Sequence, residues 1–580
     1  MNNNIFHIKS VILLLAVMLT ASCSLYEEKA LDSRPRPVTR EYKDAKRTIT
    51  ITEIPDLTDG KILGKKLPNP YSYEVMSKAW EELHPRTKSD PDTTAPSFEP
   101  NYKYVRMLPE TSSDVDWILD SDYEYFNYPL DYEILGDPDE YQDPSLTDTT
   151  LTWLYTVIPI DAQLPSMDYD VLEVCYIPEG PSSNPNGGLT PIEQLAFGMV
   201  GYEINGNPDD GWNGPEIGPG FDDPGGNGGN PGNNILQGNI KYYDGALADS
   251  VGVKGVKVTL RHSLKIRTVY TDEYGHYEMT NVFGSTPTRK LSFNNVEGFS
   301  CRYITQRKDI WKNKTFDIDS WSIDTNPESQ SWALANINNA AYDWYKYCES
   351  TGIQKPANNL RIMAIEPASG ASTLMLAHGM MYHLNIPQIL HISFRSYYDQ
   401  FIYSTFYGIV CFVLQLLGPD VVVCGIDNCS SSMIYEYISH ELSHASHFQQ
   451  LGSTNSARCD WWSDVFSYEL TNIIESGGED TYGSASDPGN GPCGVTEMWA
   501  HAVGDFFLNM KYGLSRDTVY WFKNKALEHL FLSSLITPKN AYDQLQPGVT
   551  DISIFKNQLQ YAFPELSFSI DTAFSNPNNY

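Results

Sequence analysis

The feature that most constrains this chain is a stretch near its middle that cannot be buried. From 204 to 234 it runs through Gly206-Asn207-Pro208-Asp209-Asp210-Gly211 and on to Pro224-Gly225-Gly226-Asn227-Gly228-Gly229-Asn230-Pro231-Gly232-Asn233-Asn234. Ordering so many glycines costs more entropy than the little apolar surface here can offset. The segment reads as a linker, and the 580 residues divide into separate folding regions around it, as expected of a chain too long for one ordinary core. With 41% hydrophobic and 13% aromatic residues, both sides have enough to bury.

Charge removes one class of partner. The 73 acidic residues outnumber 40 basic ones, for a formal net charge of -33. Nucleic-acid phosphates need a basic footprint, so no nucleic-acid ligand is expected, and an anionic membrane surface would repel the folded part.

The N-terminus reads as an address. Lys9 precedes the apolar run Val11 to Leu19, which is short for a bilayer span and ends in Thr20-Ala21-Ser22 before Cys23. That is an export signal over 1–22. A cysteine directly after small residues resembles the lipobox of bacterial lipoproteins, although Leu19 stands one place earlier than the usual leucine. The resemblance implies lipidation at Cys23 and an anchor in the bacterial outer membrane, surface-exposed or periplasmic; ordinary signal cleavage nearby is the alternative. Glu27 and Glu28 resemble a short acidic surface-export tag. Ile409 to Leu417 is apolar but ends at Gly418-Pro419-Asp420, too soon for a membrane helix. The remaining cysteines (Cys175, Cys301, Cys348, Cys411, Cys424, Cys429, Cys459 and Cys493) are widely and irregularly spaced, which predicts buried thiols or a few disulfides rather than a metal cluster.

Between these landmarks, 23–50 reads as a tether and 51–203 as an N-terminal α+β domain. The latter has a helix from Ser72 to Leu83 and strands at Thr152 to Ile158 and Asp170 to Val174. Its acidic and aromatic run Asp122-Tyr123-Glu124-Tyr125-Phe126 suits a structural role. Over 235–298, Val256, Val258 and Leu260 alternate with polar neighbours and Asp272-Glu273-Tyr274-Gly275 makes a turn. Period-two apolarity between turns predicts a small β-sandwich. The run from Gly238 through Gly255-Val256-Lys257-Val258 to Thr271–Tyr277 resembles the carboxypeptidase-regulatory-like (transthyretin-like) domain, which implies a spacer or docking module. The rest, 299–580, combines a helix over Trp332 to Cys348, strands Leu360 to Ile365 and Val421 to Cys424, and a helix near 431–450: an α+β domain.

That last helix carries the chemistry, in Ile438-Ser439-His440-Glu441-Leu442-Ser443-His444-Ala445-Ser446-His447. Histidines four apart stand one turn apart on one face, so both imidazoles reach one metal. Glu441 projects beside it, placed to take a proton from metal-activated water and hand it to a leaving amine. Ile434, Ile438, Leu442 and Ala445 gather on the opposite side and face the core. These residues resemble the zincin metallopeptidases.

A third ligand is needed. The metzincin extension is absent, since His447 and Gln450 stand where a glycine and a histidine belong. His447 lies too far along the helix to join the same metal and suits a supporting or exposed role. The gluzincins take a glutamate from a later helix: Glu497, after the Gly/Pro loop 487–492, is the first choice and Glu469 the competitor. Thermolysin-like enzymes carry an aspartate four residues beyond that glutamate, where this chain has His501. His501 and Tyr482 are the candidate donors to a developing oxyanion.

The whole arrangement resembles the zinc-dependent metalloproteinase lipoproteins of Bacteroidetes-type bacteria. The resemblance implies a zinc ion, a protein or peptide substrate outside the cell, and endopeptidase action. The expected fold is therefore multidomain: an α+β N-terminal domain, a small β-sandwich and an α+β zincin-like catalytic domain. The alternative is a catalytically inactive surface binding lipoprotein, against which intact Glu441 speaks. An outer-membrane uptake component is a further rival, disfavoured because helices rather than barrel strands follow the module.

Overall fold

The computed structural model describes residues 38–576, apart from 45, 86–97, 147–151, 165–166, 180–188, 203–235, 281–282, 284–286, 305–328, 366–369, 381–417, 427–428 and 477–479. The export signal, Cys23, the linker and the apolar run 409–417 lie outside the described residues. The chain is mixed α+β, with several sheets and eleven described helices. No described helix is long and apolar enough to cross a membrane.

The N-terminal region is built on a five-stranded sheet whose order is β1-β2-β7-β4-β6. The strands are β1 (Val38–Lys43), β2 (Thr48–Glu53), β4 (Tyr102–Leu108), β6 (Leu154–Pro159) and β7 (Asp168–Cys175), while β3 (Leu63–Lys66) pairs with β5 (Tyr132–Ile134). This corrects the tether expected over 23–50. β1 and β2 form an antiparallel hairpin, and Ile51 lies beside Val171 of β7. Thr48-Ile49-Thr50-Ile51-Thr52 alternates β-branched apolar and polar residues, a strand pattern masked by charged neighbours. Helix α1 (Tyr73–Leu83) starts where expected because the Ser72 hydroxyl accepts from Val75 N. Helices α2 (Ser112–Asp120) and α3 (Pro191–Met199) each carry a capping box, at Thr111 and Thr190.

The segment 236–304 supplies β8 (Leu236–Asn239), β9 (Lys241–Asp244), β10 (Asp249–Gly252), β11 (Val256–His262), β12 (Lys265–Tyr270), β13 (His276–Met279), β14 (Thr288–Asn295) and β15 (Phe299–Ile304). β8 pairs antiparallel with β13 from further along the chain, and β9 with β10 as a hairpin. The self-contained sandwich expected over 235–298 is corrected here. Strands β12-β11-β14 continue through β15 into β16 (Leu360–Ile365), β18 (Val421–Cys424) and β17 (Gly370–Thr373), in one seven-stranded sheet. The turn at Gly298 (φ +88) is closed by Gly298 N donating to Asn295 O, and it returns the chain antiparallel beside β14, in the middle of the same sheet. β15, β16 and β18 then run parallel, with β17 antiparallel at the end.

Both faces of β11 are covered. Val256, Val258 and Leu260 enter the main core. The polar alternation, Lys257, Thr259 and Arg261, is buried too, against the acidic-aromatic run of the N-terminal region. Lys257 Nζ donates to Asp122 O at 2.9 Å and sits 3.4 Å from Glu124, and Arg261 lies over Phe126. Lys265 pairs with Glu193 at 2.9 Å, and Arg361 of β16 reaches Asp116 and Asp120 of α2. Within this run Glu124, Tyr125 and Phe126 are buried, and the segment docks against β11. Buried pairs of this kind specify register more than they stabilise.

Helices α4 (Gln330–Thr351), α5 (Ser431–Gln450), α6 (Asn455–Ser476), α7 (Gly491–Tyr512), α8 (Asn524–Leu532), α9 (Pro538–Tyr542), α10 (Ile552–Ala562) and α11 (Ser567–Ser575) complete the chain. The seven described cysteines are free thiols, six of them buried.

One histidine ties the end of the sheet together. His378 Nδ1 is 2.9 Å from Asp420 Oδ1, and its Nε2 is 3.0 Å from Asn358 O. Two acceptors require two N–H donors, so the ring is an imidazolium. Burial alone pushes this pKa down, but the Asp420 carboxylate and the two hydrogen bonds prevail and raise it. A raised histidine pKa contributes stability that is complete below the unfolded value, about 6.5, and is lost as pH rises through the folded value. Melting temperature is therefore expected to fall as pH rises above about 6.5, and His378→Asn to flatten that part of the profile. Equal slopes for parent and variant in a thermal melt series would contradict the assignment.

Candidate metal centre

Helix α5 is held from both ends. Ser430 caps it by accepting from Met433 N. Ser431 donates to Asp244 Oδ1 at 2.6 Å, and Tyr512 at the end of α7 donates to Asp244 Oδ2 at 2.9 Å. Small residues let neighbours close in. Trp344 Nε1 donates to Ser446 Oγ, Trp499 Nε1 to Ser443 O, and Tyr542 Oη to Ser446 O. Ile434, Ile438, Leu442 and Ala445 are fully buried, as the helical periodicity predicts. The opposite face is nearly buried as well, because α7 lies along it. Gly504 permits that approach: a Cβ there would stand 3.3 Å from both Glu436 O and His440 Cβ.

The two helices bring His440, His444 and Glu497 together, all buried, with ligand atoms within 4.8 Å of one another. His440 Nε2 and His444 Nε2 are 3.1 Å apart. Glu497 Oε1 is 3.2 Å from His444 Nε2, and its Oε2 is 3.6 Å from His440 Nε2. Atoms bound at about 2.0–2.2 Å to one tetrahedral centre stand roughly 3.3–3.6 Å apart, and the observed separations of 3.1, 3.2 and 3.6 Å lie close to that range. Glu497 Oε2 is buried with no hydrogen-bond partner, a costly state for a carboxylate oxygen unless a cation satisfies it. Burial also holds the His444 pKa down to about 3 and drives His440 downward, leaving neutral imidazoles with the lone pairs a metal requires. The residues present can hold a metal ion.

Glu441 lies beside this set. Thr373, on β17, places its Oγ1 2.7 Å from Glu441 Oε2 and 2.8 Å from Glu441 O. A threonine has one proton to give. That proton is shared between the carboxyl and the backbone carbonyl of Glu441, which ties the residue to β17. Burial, then the charge of Glu497, raises the Glu441 pKa to about 8 against the Thr373 contact, so the group can hold and release a proton near neutrality.

It is Glu497 and not Glu469 that joins the imidazoles. Glu469 on α6 is also buried, but it accepts the Cys493 thiol at 3.8 Å and is not part of the converging set. His501, one turn beyond Glu497, packs edge-on against His440 with ring centroids 4.5 Å apart. Its Nε2 is 3.6 Å from Glu497 Oε2 and, being buried, has no hydrogen-bond partner. Tyr520 and Phe522 cover the ring from the other side. Tyr482 is fixed by its backbone: Tyr468 Oη and Trp521 Nε1 both donate to its carbonyl at 3.0 Å. Its ring packs on His501 with centroids 6.1 Å apart, and burial raises the Glu497 pKa to about 8 against the lowering contact of the Tyr482 hydroxyl. Burial, then the surrounding carboxylates, raises the phenol pKa, so Tyr482 keeps its proton. His447 is buried, not exposed, and its ring nitrogen meets the site through Thr496.

Sequence reasoning missed Thr373, Thr496, Gly504 and the Tyr520–Phe522 cover. The glycine inside an otherwise helical run was the one visible signal among them.

No family model, curated protein or solved structure was found to match this chain.

Proposed function

We propose that the chain is a metal-dependent hydrolase of the HExxH class with a glutamate as third ligand, and zinc as the metal. More particularly, we propose an exported peptidase, acting on protein or peptide substrates and anchored by a lipid on Cys23. The observation that carries the reading is the tetrahedral spacing of His440 Nε2, His444 Nε2 and Glu497, with Glu441 adjoining. Two imidazole nitrogens and one carboxylate are the donor set of zinc sites that keep a fourth position for substrate or water.

When bound, the metal supplies Lewis-acid polarisation of a carbonyl and acidifies water. Glu441 accepts the proton released on attack and delivers it to the departing amine, the step that makes an amide a viable leaving group. Thr373 holds the carboxyl in position for both transfers. Tyr482 and His501, both adjoining Glu497, are the candidate hydrogen-bond donors to a developing oxyanion. The sequence of the first 23 residues, with its apolar run and Cys23, supports action outside the cytoplasm.

The test is incubation of the chain, residues 24–580, with a mixed protein digest. New amino-termini are expected, lost on adding 1,10-phenanthroline and restored by zinc. Cleavage indifferent to the chelator, or none at all with zinc present, would sink the reading.

A further inference from the structure

Thr496 sits on α7 one residue before Glu497 and is completely buried. A threonine inside a helix ordinarily returns its hydroxyl to a carbonyl of the preceding turn. Here Oγ1 lies 3.1 Å from His444 Nδ1 and 3.0 Å from His447 Nδ1, so one hydroxyl stands between two imidazoles from the facing helix.

The proton count leaves two arrangements. In one, His444 Nδ1–H donates to Oγ1, and the hydroxyl donates to a bare His447 Nδ1; His444 Nε2 then carries a lone pair toward His440 and Glu497. In the other the chain runs backwards, and His444 Nε2 carries a proton aimed at Glu497 Oε1, 3.2 Å away. Only the first can hold a cation. A hydroxyl serves both because it donates and accepts.

We propose that Thr496 is a positioning residue that locks His444 in its metal-binding tautomer, with His447 as the acceptor that sets the direction of the hydroxyl. This rests on the metal-site reading above. His447 thus has a purpose although it binds no metal: it draws the Thr496 proton away from His444. Outer partners of metal-bound histidines are commonly carboxylates, carbonyls or water. A threonine–histidine pair performs the same orientation without adding another buried carboxyl group beside Glu441, Glu469 and Glu497.

The test is zinc affinity of the full chain, by competition with a chromophoric chelator. Thr496→Val keeps the shape and removes the hydroxyl, and zinc is expected to bind it about 10- to 100-fold more weakly. Thr496→Ser is expected to stay within about threefold of the parent. The cobalt-substituted visible spectrum should shift in Thr496→Val and not in Thr496→Ser, while thermal melts of the metal-free proteins check the fold. Should Thr496→Val fail to fold, His447→Phe takes its place, with an expected loss of about tenfold. Unchanged affinity and spectrum in a folded Thr496→Val or His447→Phe protein would overturn the proposal. A parent chain that binds no zinc would instead overturn the metal-site reading beneath it.

Discussion

Glu441→Gln is expected to bind metal as the parent does and to hydrolyse peptides about a thousandfold more slowly. Glutamine has the shape of glutamate, and its amide can meet the Thr373 hydroxyl that now lies 2.7 Å from Glu441 Oε2. The helix and the ligands on either side of it have no reason to move. What is lost is the ability to take up a proton and give it back. The loss should therefore fall on kcat, with metal content and KM little changed. Steady-state kinetics on one peptide isolated from the digest, together with metal analysis of the same preparation, would check this. Retained turnover would show that Glu441 is not the base.

The second large effect is expected at the third ligand. Glu497→Gln should weaken zinc binding by about three orders of magnitude, since several kcal/mol of metal affinity rests on each ligand of such a site. Glu469→Gln should leave affinity within about threefold. The contrast follows from geometry: the Glu497 carboxylate stands 3.2 Å from His444 Nε2, whereas Glu469 faces the Cys493 thiol. The metal-free proteins should differ in the opposite sense. Glu497 Oε2 is buried without a hydrogen bond, and the nearby carboxylates raise the cost of charging one another. Replacing Glu497 with a neutral amide should raise the melting temperature of the metal-free chain while it abolishes tight zinc binding. Isothermal titration and thermal melts of both variants would measure the two halves. Equal weakening by both substitutions would mean that the ligand has been misassigned.

The legible part of the site was the part written in local geometry. Histidines four apart on a helix share a face whatever surrounds them, so His440, Glu441 and His444 follow from spacing alone. The third ligand depends on which later helix packs against α5, and sequence narrowed that to Glu497 and Glu469. Gly504 favours Glu497, since a Cβ there would crowd Glu436 O and His440 Cβ at 3.3 Å where α7 approaches α5. Thr496 and Thr373 could not be read at all. Their hydroxyls matter only through partners 52 and 68 residues away, and neither has a sequence pattern that distinguishes it from any other threonine.

The same division holds for the fold. Helix α5 and strands β16 and β18 fall where periodicity puts them, because each is a strong local pattern bounded by polar residues. The tether was misjudged where β1 and β2 form, since their stability comes from pairing with β7 and not from their own composition. β11 shows the limit of alternation as a guide. Its polar residues read as a solvent-facing side, yet Glu124 and the carbonyls of Asp122 and Leu130 bury them. A polar face is exposed only if nothing else in the chain is shaped and charged to cover it.

The central claim is that this chain holds one catalytic metal on His440, His444 and Glu497. The most direct measurement is native mass spectrometry of the chain after equilibration with micromolar zinc, beside a His440→Ala, His444→Ala double variant. One tightly held zinc in the parent and none in the variant is the predicted result; a metal-free parent, or equal zinc in both proteins, would contradict it.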